Sequence, residues 1–328
     1  MNRSLLSIFA TTAVFLVGFL VCSLVFPNFA SLRVVTNLLT DNAFLGIVAV
    51  GMTFVIISGG IDLSVGSVIG FTTIFLALAI ERWDVPPVVA FAAILLLGAV
   101  FGALMGAVIQ YFELPPFIVT LAGMFLARGA SFLLSTESIP INAGFYSDLA
   151  GRAIRLQGGS RLTVPAMIML AVVAACMVLL HLSRFGANVY ALGGSRTSTA
   201  LMGVNVGRTT VLVYTLSSAL AGLSGIVFSL YTSSGYSLSA VGVELDAIAA
   251  AVIGGTLLSG GYGSVFGTFV GVLIQGLIQT YISFDGTLSS WWAKIATGLL
   301  LFVFIVLQQV TLQMARRPRI GAAGVIRP

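Results

Sequence analysis

The sequence predicts an all-α polytopic membrane protein, a single domain over residues 1–328 with about ten transmembrane helices. Two observations predict it. Hydrophobic residues make up 59% of the chain and charged residues only 8%, where a soluble domain carries roughly 25% charged residues to wet its surface. The apolar residues also fall in repeated runs about 20 long, the length a helix needs to cross a hydrocarbon core about 30 Å thick.

Breaks at polar, proline and glycine positions place the spans at 5–27, 42–58, 65–80, 88–110, 117–135, 163–183, 210–231, 246–258, 265–284 and 291–308. The first run, Leu5 to Phe26, is too long for a signal-peptide core and lacks a small-x-small cleavage site, so it is expected to stay as a span. The eighth run is too short for a straight crossing and reads as a broken or re-entrant helix. An internal echo supports this: SGGIDLSVGSVIG at 58–70 resembles SGGYGSVFG at 259–267. Each joins one span to the next, as in transporters built from repeats with interrupted helices, so short or broken helices are expected near 58–66 and 246–264.

An even number of spans puts both termini on one side. Arg3, Arg184, Arg196, Arg208, Arg316, Arg317, Arg319 and Arg327 share that side, against Arg33, Arg82, Arg152, Arg155 and Arg161 on the other. The excess of arginine marks the termini as cytoplasmic. The long connection at 136–162 is then periplasmic, and the loop at 184–209 and the tail at 312–328 are cytoplasmic.

Several functions are excluded by what is missing. The only two cysteines, Cys22 and Cys176, sit inside apolar runs as small buried hydrophobes, so neither a disulfide framework nor a metal cluster is expected. The arginines are scattered between spans, unlike a basic face interleaved with aromatics, which excludes nucleic acid. The sole lysine, Lys294, stands between Ala293 and Ile295, so the chain has no phosphate-binding P-loop. GLSG at 222–225 superficially resembles an intramembrane serine-protease motif, but His181 precedes Ser224 and lies at the end of a different span, leaving the serine without a base.

Other features have structural readings. Gly98, Gly102 and Gly106, and Gly263, Gly267 and Gly271, make smooth stripes for close helix packing. Glu244 and Asp246 suit the positive end of a helix, and Trp291, Trp292 and Lys294 read as interfacial anchors.

Asp62 and Arg128 are the ionisable groups expected at membrane depth, where a charge costs at least about 2.5–3.5 kcal/mol and faces protein or a wet cavity. Asp62 has two readings: a cap on the helix that begins near Ser64, or a gate on a path. Arg128 likewise reads as a clamp on carbonyls of an interrupted helix or as a path residue.

The loop FGANVYALGGSRTSTALMGVNVG at 185–207 is the most informative stretch. Gly193 and Gly194 are expected to form a turn, Ser195 or Thr197 to cap a helix through Ala200 and Met202, and Gly203 to stop it. A small apolar helix across the cytoplasmic face suits a groove on a soluble partner.

ISGGIDLSVGSVIG at 57–70, YALGGSRTSTALMGVNVG at 190–207 and VELDAIAAAVIGGTLLSGGYGSVFGT at 243–268 resemble the ribose-type permeases of bacterial ABC sugar importers. LTDNAFLGIVAVGMTFVI at 39–56, SIPIN at 138–142 and FDGTLSSWW at 284–292 look most like the permease of galactofuranose importers. The resemblance implies an inner-membrane subunit without a cofactor of its own. It also implies three partners: a second, related permease, a cytoplasmic ABC ATPase and a periplasmic sugar-binding protein. It places ATPase coupling on Gly193, Gly194, Ser195, Arg196 and Gly203. On that reading, Asn42, Thr53, Ser58 and Ser64 are candidates for contact with a hydroxylated solute, with Asp62 and Arg128 as gating candidates. The competing reading is an ion-coupled secondary carrier, which interrupted helices suit equally. The scarcity of acids in the spans and the docking loop argue against it.

Overall fold

The computed structural model describes residues 3–316, so the tail arginines beyond Arg316 lie outside the described residues. The order is α1 (Arg3–Val25), α2 (Leu32–Asp41), α3 (Ala43–Ile57), α4 (Val65–Glu81), α5 (Pro87–Tyr111), α6 (Pro116–Leu134), β1 (Ile139–Pro140), α7 (Gly144–Gly151), β2 (Ala153–Arg155), β3 (Arg161–Thr163), α8 (Val164–Leu182), α9 (Arg184–Gly194), α10 (Arg196–Leu201), α11 (Val206–Thr232), β4 (Ser234–Gly235), α12 (Val243–Ile253), α13 (Val265–Asp285) and α14 (Trp291–Arg316). Seven described helices, α1, α5, α6, α8, α11, α13 and α14, are long and apolar enough to cross a membrane. The other three expected spans are short or broken: α4, α12, and α3, which continues from α2 through a 57° bend.

Capping chemistry sets many of the boundaries. The side chains of Ser183, Asn205 and Ser264 each accept from the backbone N–H three residues further on, Gly186, Arg208 and Gly267, in the first turns of α9, α11 and α13. Pro87 and Pro116 begin α5 and α6, where the missing N–H has no helical partner to lose.

α11 forms the centre, flanked by α3, α4 and α5. Every residue of α3 except Phe44 is buried, which fits its uniformly apolar sequence. α1 and α14 lie at the rim with large apolar side chains exposed. Both glycine stripes are packing seams. A Cβ on Gly102 would sit 2.2 Å from the Tyr214 carbonyl oxygen of α11, and one on Gly271 would sit 2.1 Å from the Ala250 oxygen of α12.

Three features depart from the sequence reading. α2 is an additional amphipathic helix capped by Ser31, which accepts from Val34 N–H. The loop at 136–162 carries α7 and the β2–β3 hairpin, in which Ile154 faces Leu162, while β1 pairs with β4. The span expected at 246–258 begins earlier and stops at Ile253. Ahead of it, the chain from Ser234 to Ala240 runs in non-helical form down the face of α4: Cβ atoms on Gly235, Gly70 and Gly66 would meet Thr73, Ser239 and Ala240 in turn. This crossing is therefore half turn-rich, non-helical chain and half helix, which is why its apolar run is short.

Candidate functional site

The two glycine-rich turns that echo each other in sequence meet in space. α3 ends in a Schellman motif: Gly60 N–H donates to the Val55 carbonyl and Gly59 N–H to the Ile56 carbonyl, with Gly59 at φ +87°. α12 ends the same way, with Gly255 N–H donating to Val252 and Thr256 N–H to Ala251. The structural counterpart of Gly59 is thus Gly255, five residues before Gly260, the position expected from the echo. Gly260 and Gly261 instead pack onto the first turn. Gly261 N–H donates to the Ile57 carbonyl at 2.8 Å, and a Cβ on Gly260 would lie 2.9 Å from the Gly59 Cα.

A third diglycine completes this contact. Gly193 and Gly194 are expected to form a turn, but they are the last residues of α9, and the chain changes direction at the extended Ser195. The reason is packing: Gly193 abuts Ile57, where a Cβ would fall 1.7 Å from the carbonyl oxygen. Gly194 has open space around its Cβ position. Tyr190, one turn back, donates its hydroxyl to the Gly263 carbonyl at 2.7 Å. α9 therefore touches both interrupted segments at once.

α10 is carried by α9. Ser195 caps it by accepting from Ser198 N–H, and Thr199 donates its hydroxyl to the Ala191 carbonyl at 2.7 Å. Gly203, at φ +80°, stops it as the sequence reading expects. Arg196 donates to Gln110 at the end of α5 at 2.8 Å. Leu201 and Met202 at the tip are 85% and 69% exposed. A crevice of about 250 Å³ bounded by Ser58, Gly59, Arg196 and Tyr214 opens beside this contact.

The path and gating candidates are not brought together. Asp62 is fully buried; one oxygen accepts from the Ser64 backbone N–H at 3.0 Å and hydroxyl at 2.6 Å, and the other from the Ser217 hydroxyl of α11 at 2.8 Å. Arg128 donates to the Ser237 and Ser239 carbonyls at 2.5 and 3.0 Å, holding the non-helical half of the broken crossing. Thr53 is sealed between α3 and α13, bonded to Thr268 at 2.7 Å. Ser58 lies by the crevice beside the α9 contact. Asn42 sits at the α2–α3 bend, bonded to the Leu38 carbonyl at 2.9 Å.

Asn42 also lines a cavity of about 650 Å³ at the opposite end of the molecule, among α2, α12, α13 and α14. Trp291 and Lys294, read from sequence as interfacial anchors, are on its wall. Lys294 pairs with Asp246 of α12 at 2.5 Å. Sequence reasoning missed this because the partners are far apart in the chain and each has an ordinary reading alone.

The family model for the branched-chain amino acid transport system / permease component matches residues 34–305. The inner membrane ABC transporter permease protein YjfF of Escherichia coli (strain K12) is 59% identical over 304 residues, 93% of this chain and 92% of the relative. The fructose import permease protein FruG of Bifidobacterium longum (strain NCC 2705) is 36% identical over 95% of this chain and 93% of its own length. The ribose import permease protein RbsC of Escherichia coli (strain K12) is 38% identical over 85% and 87%, respectively. No solved structure matches the chain significantly.

Proposed function

The chain belongs to the branched-chain amino acid transport system / permease component family, and on that premise we propose that it is the membrane-spanning subunit of an ATP-driven sugar importer. Two relatives named for fructose and ribose import support a sugar as the solute. The likeness of 39–56, 138–142 and 284–292 to galactofuranose-importer permeases supports galactofuranose. The proposed partners are a second, related permease, a cytoplasmic ABC ATPase and a periplasmic sugar-binding protein, in a bacterial inner membrane with both termini cytoplasmic.

The single observation that carries the mechanism is the link from α10 to both interrupted segments. ATP-driven closure of the ATPase would push on the exposed Leu201 and Met202. α9 would transmit the movement through Gly193 and Tyr190 to the turns after α3 and before α13. These turns would switch the path between its two openings. The ATP site itself belongs to another chain on this reading.

The experiment is sugar-stimulated ATP hydrolysis by the reconstituted complex of the four components, comparing galactofuranose, ribose and galactopyranose. Stimulation by galactofuranose alone supports the solute. Stimulation by ribose alone replaces it, and an intact complex that responds to no sugar overturns the sugar reading.

A further inference from the structure

The cavity among α2, α12, α13 and α14 has a definite chemistry. Its wall carries four carboxamides, Asn37, Asn42, Gln275 and Gln279, beside the rings of Phe284 and Trp291. A carboxamide both donates and accepts, which is what a sugar hydroxyl requires of a partner. Asn42 and Gln275 are anchored through their amide N–H groups, to Leu38 and Asp246 carbonyls at 2.9 and 3.0 Å. Asn37 and Gln279 have no side-chain hydrogen bond to any described residue. The flat rings offer apolar faces for the C–H side of a sugar.

Charge decides against an anionic solute. Lys294 is held by both oxygens of Asp246, at 2.5 and 2.7 Å, and Asp41 accepts from the Tyr231 hydroxyl at 3.2 Å. Among the described wall residues no unpaired cation remains for a carboxylate, so an amino acid or acidic sugar lacks its main partner. The volume of about 650 Å³ falls within the usual range for small-molecule sites, about 300–1,000 Å³.

We propose that this cavity is a binding subsite for a neutral monosaccharide, with Asn37 and Gln279 as direct hydroxyl partners. It lies at the end opposite α10, where solute would arrive before the ATPase acts. This rests on the sugar-importer reading.

The test uses the complete importer in proteoliposomes, with ATP-dependent galactofuranose uptake measured per mole of purified complex. Gln279→Leu and Asn37→Leu are expected to raise KM about tenfold each, as loss of a hydrogen bond to solute implies. As a second measurement, Gln279→Cys is labelled with a maleimide in the same complex, whose native Cys22 and Cys176 in this chain are buried. Galactofuranose is expected to slow labelling and leucine not to. If wild-type uptake is intact, unchanged KM together with no protection overturns the subsite and leaves the importer reading standing. If the leucine variants do not assemble, labelling of Gln279→Cys decides alone. A wild-type complex that takes up no sugar removes the importer reading, and the subsite with it.

Discussion

Gly261 donates its backbone N–H to the carbonyl oxygen of Ile57 across 2.8 Å, and Gly193 abuts that same oxygen so closely that a methyl group there would fall 1.7 Å from it. A substituted Gly193 must therefore push α9 away from both turns. Gly193→Ala is expected to cut ATP-dependent uptake about tenfold or more, the scale of an overpacked contact that costs about 1–3 kcal/mol. Gly194→Ala, with open space around it, is expected to stay within about twofold of wild type. Parallel uptake assays of the two variants check this; equal loss in both would remove the contact from the mechanism.

Leu201 and Met202 project from the α10 tip with little to hold them in this chain. Changing both to Asp is expected to shift the thermal stability of the purified permease by no more than about 0.5 kcal/mol, as for other exposed sites. Co-purification with the ATPase is expected to fall about tenfold, as expected when charge is forced into an apolar groove. Retained co-purification would place docking elsewhere.

Asp62 holds Ser64 and Ser217 at full burial. Asp62→Ala leaves those donors buried and unpaired, at about 1–3 kcal/mol each, so a clearly lowered melting temperature is expected in detergent. Asp62→Asn keeps an acceptor for one serine and is expected to lose less. Melting curves that rank the two variants the other way would contradict the capping geometry.

Arg128 braces the non-helical half of the broken crossing through two carbonyls. Arg128→Met is expected to destabilise the permease by about 3–6 kcal/mol, since it removes two hydrogen bonds from a charged donor worth about 1.5–3 kcal/mol each. Proteolysis within 233–242 should become faster in the variant, and an unchanged cleavage rate would argue against the clamp.

Much of this architecture is legible in one dimension because a membrane helix advertises its length. α5, α6, α8, α11 and α13 each appear as an apolar run bounded by proline or a capping residue. α2 is not legible by that rule: Arg33, Asn37 and Asp41 on its exposed face interrupt the apolar run, although Ser31, Val34 and Leu38 mark a capped helix in hindsight. α9 is hidden by its own glycines, which signal a turn locally but serve a close contact with Ile57 in the fold. The cavity wall is the least legible part. Asn37, Asp246, Gln279 and Lys294 come from four helices, and only their packing gives them a common face.

The central claim is that this chain forms a path but draws its power from another subunit through α10. The most direct measurement is sugar uptake into proteoliposomes containing the chain alone, or the chain with its second permease, ATPase and binding protein, with and without ATP. Uptake only in the complete, ATP-supplied vesicles is the expected result. Uptake by the chain alone under a proton or sodium gradient, unaffected by ATP, would contradict the account and make the protein a secondary carrier.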